Sequence, residues 1–271
     1  MNPKDSHSGD DAGGWRSGEW QFGDKVNRSN GASNGADNGH GHPSLDLTRA
    51  FSGKRFVVVG GTGFLGKVFW AMLLDRFPEV EHLYLLVRSK GALSAEARFW
   101  QEIASSELMR PLRERHGKGY EAFLRRRVTP ISGDIAQLYC GLVPSLRESL
   151  QGKIAAVINA AGVVEFDPPL DQALEVNAFG CQNLVSLARD LGNCPVFHTS
   201  TCFVAGNKTG FVEEKNPLDY PFPRADTLDR SQWDADREIR ECLDVIRQAK
   251  QRADDAFRQS HFVDEAKRRL E

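Results

Sequence analysis

The sequence has no Cys-x-x-Cys pair, almost no net charge and no apolar run long enough to cross a bilayer. Its five cysteines, Cys140, Cys181, Cys194, Cys202 and Cys242, are scattered through 271 residues. Their spacing excludes zinc ribbons and dithiol redox motifs, and an odd, dispersed set suits a reducing compartment. No metal site is expected. There are 35 lysines and arginines against 37 acidic residues, a formal charge of −2. That balance provides no bulk attraction to nucleic acid, so no nucleic-acid partner is expected. The apolar stretch Val68–Leu74 is far shorter than the roughly 20 residues of a spanning helix. A cytoplasmic protein is expected. Nothing in the sequence specifies an oligomeric state.

The first 42 residues lack aliphatic side chains. Alanines aside, only Met1 and Val26 are aliphatic, while nine of the 25 glycines fall in this stretch. Such a segment cannot bury enough surface to offset its ordering entropy and is expected to be a disordered tail. It has neither the apolar centre of a signal peptide nor the arginine content of a mitochondrial presequence. Trp15, Trp20 and Phe22 fit either a short docking motif or aromatics in a flexible tail. His40 and His42 read as solvated histidines.

Residues 43–271 have the pattern of one folded domain. The near-continuous apolar run Arg55–Gly60 suits a strand covered on both faces. Phe64–Phe77 reads as a helix closed by Pro78, and His82–Val87 as a second strand. Residues 95–104 and 107–116 have helical spacing. Arg127–Ser132 is a third strand, Pro144–Leu150 a helix opened by proline, Ile154–Asn159 a fourth strand, Leu170–Leu191 a long helix and Pro195–Ser200 a fifth strand. Strand and helix alternate, which implies crossovers and a doubly wound parallel sheet of Rossmann type. Ser231 and Asp234 resemble a helix-capping pair. After them, Ile239, Leu243, Ile246, Ala253 and Phe257 recur at helical intervals, as a buried stripe would. That segment reaches Glu271 without a stop signal, and five strands stand where a two-halved dinucleotide fold has six. Both features are expected if the chain ends inside a longer protein.

The strongest chemical signal is Gly60-Gly61-Thr62-Gly63-Phe64-Leu65-Gly66, which follows a strand and opens a helix. Gly60 allows the tight turn, Gly63 lets backbone approach a pyrophosphate, and Gly66 lets the helix pack against the sheet. The helix N-terminus, from Phe64 and Leu65 onward, supplies N–H donors and partial positive charge. The second strand ends Val87-Arg88-Ser89-Lys90, with no carboxylate to take a ribose 2′-hydroxyl. Arg88 and Lys90 instead suit a 2′-phosphate, so NADPH is the expected cofactor. Asp134 and Ile135, after the third strand, stand where a loop meets adenine. Ala160, Ala161 and Gly162, after the fourth, let backbone approach the cofactor.

These residues, with Asn177-x-x-Gly180 and Thr199-Ser200-Thr201, resemble the extended short-chain dehydrogenase/reductase superfamily. The segments Leu86–Gly91, Val164-Glu165-Phe166-Asp167, His198–Thr201 with Val204-Ala205-Gly206, and Gly210–Glu214 are similar to fatty acyl-CoA reductases and related thioester reductase domains. The resemblance covers residues 51–271, and it sets the helical segment 231–271 beside an insertion of the bacterial acyl-CoA reductases. Asn159 departs from the histidine that many of these reductases carry there.

The resemblance implies that Thr201, five residues before Gly206, hydrogen-bonds the substrate carbonyl, with Ser200 as the competing hydroxyl. Asn177 is implied to order backbone or water near the cofactor, and His198 reads as a satisfied core histidine. It also implies NADPH-dependent reduction of a long-chain acyl-CoA to aldehyde and then alcohol. A carrier-bound acyl substrate and an NADP-sensing module without chemistry are the alternatives. The family's Tyr-x-x-x-Lys pair is absent: Tyr84, Tyr120, Tyr139 and Tyr220 are followed four positions later by Arg88, Leu124, Val143 and Arg224. Arg110, Arg113, Arg115, Lys118 and Arg125–Arg127 outnumber Glu114 and Glu121 in their stretch. Coenzyme A phosphates or peripheral contact with an anionic membrane would suit that excess. A solvated helical face is the simpler reading.

Overall fold

The computed structural model describes residues 46–205, 209–213, 234–254 and 256–270. The expected tail over 1–42, and Gly206, Glu214, Ser231 and Glu271, lie outside the described residues. Five strands form one parallel sheet: β1 (Arg55–Val59), β2 (His82–Val87), β3 (Val128–Ser132), β4 (Ala156–Asn159) and β5 (Val196–His198). Their order is β3-β2-β1-β4-β5, the doubly wound arrangement in which the chain reverses direction beside β1. The register sets Val57 opposite Tyr84 on one side and Val157 on the other. Pro130 is tolerated because β3 is an edge strand.

Alternation within each strand divides the core in two. Phe56, Val58, Leu83, Leu85 and Val87 face one side. There they meet Trp70, Leu73 and Leu74 of α2 (Phe64–Arg76), after the short α1 (Leu47–Phe51). The same layer holds Phe99, Met109, Leu112 and Leu124. These come from α3 (Ala95–Arg98) and its π-turn continuation Phe99–Ile103, from α4 (Arg110–His116) with a preceding single turn, and from α5 (Tyr120–Arg127). Val57, Val59, Leu86, Ile131 and Val157 face the other side, against Leu150 of α6 (Pro144–Leu150) and Leu184 and Leu187 of α8 (Gly180–Asp190). Burial on both faces explains why β1 and β2 read as near-continuous apolar runs.

The helical expectations hold with two adjustments. Residues 120–127 form a separate helix, α5, whose inward face is only Tyr120, Phe123 and Leu124. The helix expected over Leu170–Leu191 is α7 (Leu170–Ala173), a π turn over Leu174–Phe179, and α8. The widened turn carries Asn177, whose carboxamide reaches sideways to backbone, and such turns accompany functional sites.

The last segment differs from expectation. Asp234 itself caps α9 (Ala235–Asp254), its Oδ1 accepting the Arg237 N–H at 2.6 Å. Of the expected buried stripe, Ile239 and Ile246 are half-buried, Leu243 is 44% exposed and Ala253 is exposed. The reason is placement. Helix α9 meets α7, where Lys250 Nζ pairs with Asp171 at 3.0 Å, and it does not lie on the sheet. Helix α10 (Ala256–Leu270) continues it.

Four arginines of the cationic stretch are engaged within the fold. Arg115 pairs with Asp75 at 2.8 Å, Arg113 donates to the Ser106 carbonyl at 2.7 Å, and Arg127 donates to the carbonyls of Val80 and Pro78. Arg125 pairs with Glu121 at 2.7 Å and covers the Trp100 ring.

His82 Nε2 lies 2.8 Å from Thr129 Oγ1, and burial pushes its pKa below the ordinary 6.5. His116, stacked on Phe123, shifts the same way, again chiefly through burial. A histidine whose pKa is lowered on folding binds fewer protons folded than unfolded. Its contribution is therefore full above about pH 6.5 and is lost as the pH falls from there through the folded pKa. The denaturation midpoint should fall on acidification through this window. His82→Gln should show a smaller fall, and parallel curves for the two proteins would exclude the effect.

Candidate functional site

Sequence places the glycine loop, and packing locks it. Gly60 has φ +82°, a left-handed conformation that suits glycine. A Cβ there would collide with the Ala160–Ala161 backbone, and one at Gly66 with the Gly60 carbonyl. The loop closes on itself through Gly63 N–H to Gly60 O at 3.1 Å. Fully buried Trp70, one turn further along α2, donates its indole N–H to Gly61 O at 3.1 Å. No sequence spacing signalled that bond, because it needs α2 already docked on the sheet.

Helix α2 starts without a side-chain cap and without an acidic residue in its first turn. Its first N–H groups are therefore left for an anion. A Cβ at Gly63 would find only Gly60 O, at 3.5 Å. Gly63 thus differs from Gly60 and Gly66: its missing side chain leaves open space in front of the helix. The side chains of Phe64 and Leu65 are exposed, so only their backbone serves the site.

The cleft in front of this helix has a volume of about 370 Å³. Val59, Gly60, Thr62 and Gly63 form its floor, Leu86, Arg88 and Ile135 one wall, and Ala160 to Glu165 the other. It lies beyond the carboxyl ends of β1, β2 and β4, at the point where strand order reverses, where ligands of open α/β sheets bind. A second recess adjoins it at Arg88. Lys90, Arg98, Gly133, Asp134 and Gln137 line that recess.

Arg88 is 65% exposed and only loosely paired, 3.8 Å from Asp134 Oδ2. Lys90 faces Glu102 at 3.6 Å. Arg98 was not anticipated from sequence. It donates to the Arg88 carbonyl at 2.9 Å and to Glu102 at 2.9 Å, and that second bond holds the Glu102 carboxyl below its usual range. Three cations thus stand with two carboxylates around the recess. Asp134 also shapes its own loop, accepting the Ala136 N–H at 3.1 Å. Asn183 of α8 holds the Ile135 carbonyl at 2.9 Å, a role the sequence did not reveal.

The opposite wall is a polar network. Asn177 Oδ1 accepts the Val163 N–H at 2.8 Å, and its amide donates to Val163 O at 3.0 Å. Asn159 is the one buried polar residue among those described. Its Oδ1 accepts the Ala161 N–H at 3.0 Å, and its amide donates to Ala161 O at 3.3 Å and to His198 Nδ1 at 2.9 Å. His198 Nε2 lies 3.8 Å from Cys181 Sγ. His198 is therefore satisfied but exposed, because no strand among the described residues pairs with the outer edge of β5; it is not a core histidine.

Ser200 and Thr201 do not line the cleft. Both are exposed on the turn after β5, where Thr201 Oγ1 accepts the Phe203 N–H at 3.0 Å. That bond uses an oxygen lone pair and leaves the hydroxyl proton free to donate.

Comparison with known proteins finds relatives named as reductases. The model of the family described as Male sterility protein matches residues 58–264. The chain is 31% identical over 221 residues to "Fatty acyl-CoA reductase 2, chloroplastic" of Arabidopsis thaliana, covering 78% of this chain and 35% of that protein. It is 32% identical over 164 residues to "Alcohol-forming fatty acyl-CoA reductase" of Simmondsia chinensis, covering 60% and 33%. The chain spans about a third of the length of the curated relatives it matches. Among solved structures, the terminal R domain from the myxalamid PKS-NRPS biosynthetic pathway superposes with TM-score 0.47 at 24% identity, over 64% of this chain and 42% of that one.

Gly66 and Gly63 should separate on substitution. Gly66→Ala should lower stability by forcing α2 off the loop. Gly63→Ala should leave the denaturation midpoint nearly unchanged yet weaken dinucleotide binding by about tenfold or more, as expected where backbone must approach a pyrophosphate. Denaturation and dinucleotide titration of both variants test this. Unchanged binding by Gly63→Ala would remove the loop from the site.

Proposed function

The chain belongs to the Male sterility protein family, and curated relatives that it matches are fatty acyl-CoA reductases; on that premise we propose that it is a member of the extended short-chain dehydrogenase/reductase superfamily that serves NADPH-dependent reduction of a long-chain acyl-CoA to fatty aldehyde and alcohol. The observation that carries the reading is the cleft: an uncapped helix behind a glycine loop, beside a β2 end that bears Arg88 in place of a carboxylate.

When bound, the cofactor supplies hydride to the thioester carbonyl. The N–H groups at the start of α2 bind its pyrophosphate, with Gly63 giving the approach. Arg88, with Lys90 and Arg98 around the second recess, takes the 2′-phosphate; the weak hold of Asp134 leaves Arg88 free to turn toward it. Asp134 and Ile135 meet the adenine end. Ala160, Ala161 and Gly162 border the nicotinamide end, kept in place by Asn159 and Asn177. Thr201, on the turn after β5 and outside the cleft lining, is assigned the hydrogen bond from its free hydroxyl to the carbonyl, which stabilises the oxyanion that forms. Ser200, on the same turn, is the alternative donor.

No tyrosine of this chain has lysine four positions on, so the acid that protonates the developing alkoxide is not supplied by such a pair here. A positioned general acid is worth about 10²–10⁴-fold. Turnover by this chain should therefore fall below that of a reductase that carries the pair by about that factor.

Two measurements test the reading. Arg88→Ala should weaken NADPH binding by roughly 1.5–3 kcal/mol and NADH binding far less; equal losses would reject the 2′-phosphate role. The protein should oxidise NADPH with a long-chain acyl-CoA and release free coenzyme A. Absence of both would overturn the proposed activity.

A further inference from the structure

Three apolar side chains stand exposed in the loops beside the cleft. Val164 lines the cleft and is 89% exposed. Two residues on, Phe166 is 93% exposed, and Phe203, from the single turn Cys202–Ala205 after β5, is 66% exposed. Their rings nonetheless meet across the two loops, with centroids 6.2 Å apart and planes at 87°, a favourable edge-to-face pairing. Neither belongs to either layer of the core. Exposed apolar surface held in a fixed arrangement marks a binding surface.

Two connections tie the pair to the site. Glu165, the residue before Phe166, lines the cleft. On the other side, Thr201 Oγ1 holds the Phe203 N–H at 3.0 Å, and Thr201 O accepts the Val204 N–H at 3.2 Å. The turn that presents the Thr201 hydroxyl therefore also fixes Phe203. The charges in the two segments are the carboxylates of Glu165 and Asp167, which disfavour an anionic occupant. An uncharged hydrocarbon suits both rings.

We propose that Phe166 and Phe203 form the contact surface for the hydrocarbon of the acyl thioester beside its carbonyl, so that they set the dependence of binding on chain length. This assignment rests on the reading of the site as an acyl-thioester reductase. Each methylene laid on the rings should improve affinity by up to about fourfold, until the chain outruns them.

The test titrates this chain, with NADPH present, with coenzyme A and its acetyl, octanoyl and hexadecanoyl thioesters. Affinity should rise from acetyl to octanoyl. Phe166→Ala and Phe203→Ala should each weaken octanoyl binding by about tenfold and acetyl binding by less than about twofold. Phe203→Leu should recover most of the loss. Both rings are exposed, so the variants should fold, and unchanged NADPH affinity would show that the cleft is intact. The proposal is overturned by an unchanged chain-length series in the variants, or by equal losses for every thioester. A fall in NADPH affinity of the same size as the acyl loss also overturns it. So does a dimer, seen by sedimentation, that Phe166→Ala dissolves, since that assigns the rings to a second copy. Failure of the unsubstituted chain to bind NADPH would refute the cofactor reading, while the acyl series decides the aromatic pair separately.

Discussion

The fold turns on one close backbone approach. Gly60 lies so near both Ala160–Ala161 and Gly66 that no side chain fits at either glycine. This contact brings the first turn of α2 down onto the sheet and sets the β4 loop against the glycine loop. Trp70 reinforces it from within α2, filling the core beneath the loop while its indole N–H holds Gly61 O. Removing a buried ring of that size typically costs about 3–5 kcal/mol, so the loop's shape is backed by a substantial part of the core. The open cleft depends on this closed packing behind it.

The sequence made the sheet legible because both faces of β1 and β2 are buried. Past their first residues, Arg55 and His82, their side chains are aliphatic or aromatic throughout, and the turn after β1 is rich in glycine. The glycine loop was legible for the same steric reason. The contacts that shape the walls were not. Asn159 meets His198 across 39 residues and Asn183 meets Ile135 across 48, so neither pair has a spacing to be read. Arg98 lies ten residues from the carbonyl it holds and looked like one more charge on a helix. The failed stripe on α9 shows the reverse: helical periodicity promises an apolar face but does not say what covers it.

Charge in this molecule is sorted by what it can reach. Along α4 and α5, arginines that look like a basic surface in sequence are spent on Asp75, on backbone carbonyls and on their own helix neighbours. Arg88 resembles them in composition, yet its partner stands 3.8 Å away and its guanidinium is mostly in water. Burial sorts the thiols in the same manner. Cys140 is fully enclosed and its pKa is pushed up to about 12, which leaves it inert as a nucleophile.

The proline in β3 gives the sheet a direction. Pro130 has no N–H to offer a strand arriving on its outer side. The other margin, β5, carries no proline between Val196 and His198, and its far edge is unpaired among the described residues. Strand addition is therefore discouraged at the margin beside the cation-lined recess and permitted at the margin that leads to Ser200 and Thr201. Among the described residues the sheet is thus open to a further strand at one margin only, and that margin lies next to the turn that carries those hydroxyls.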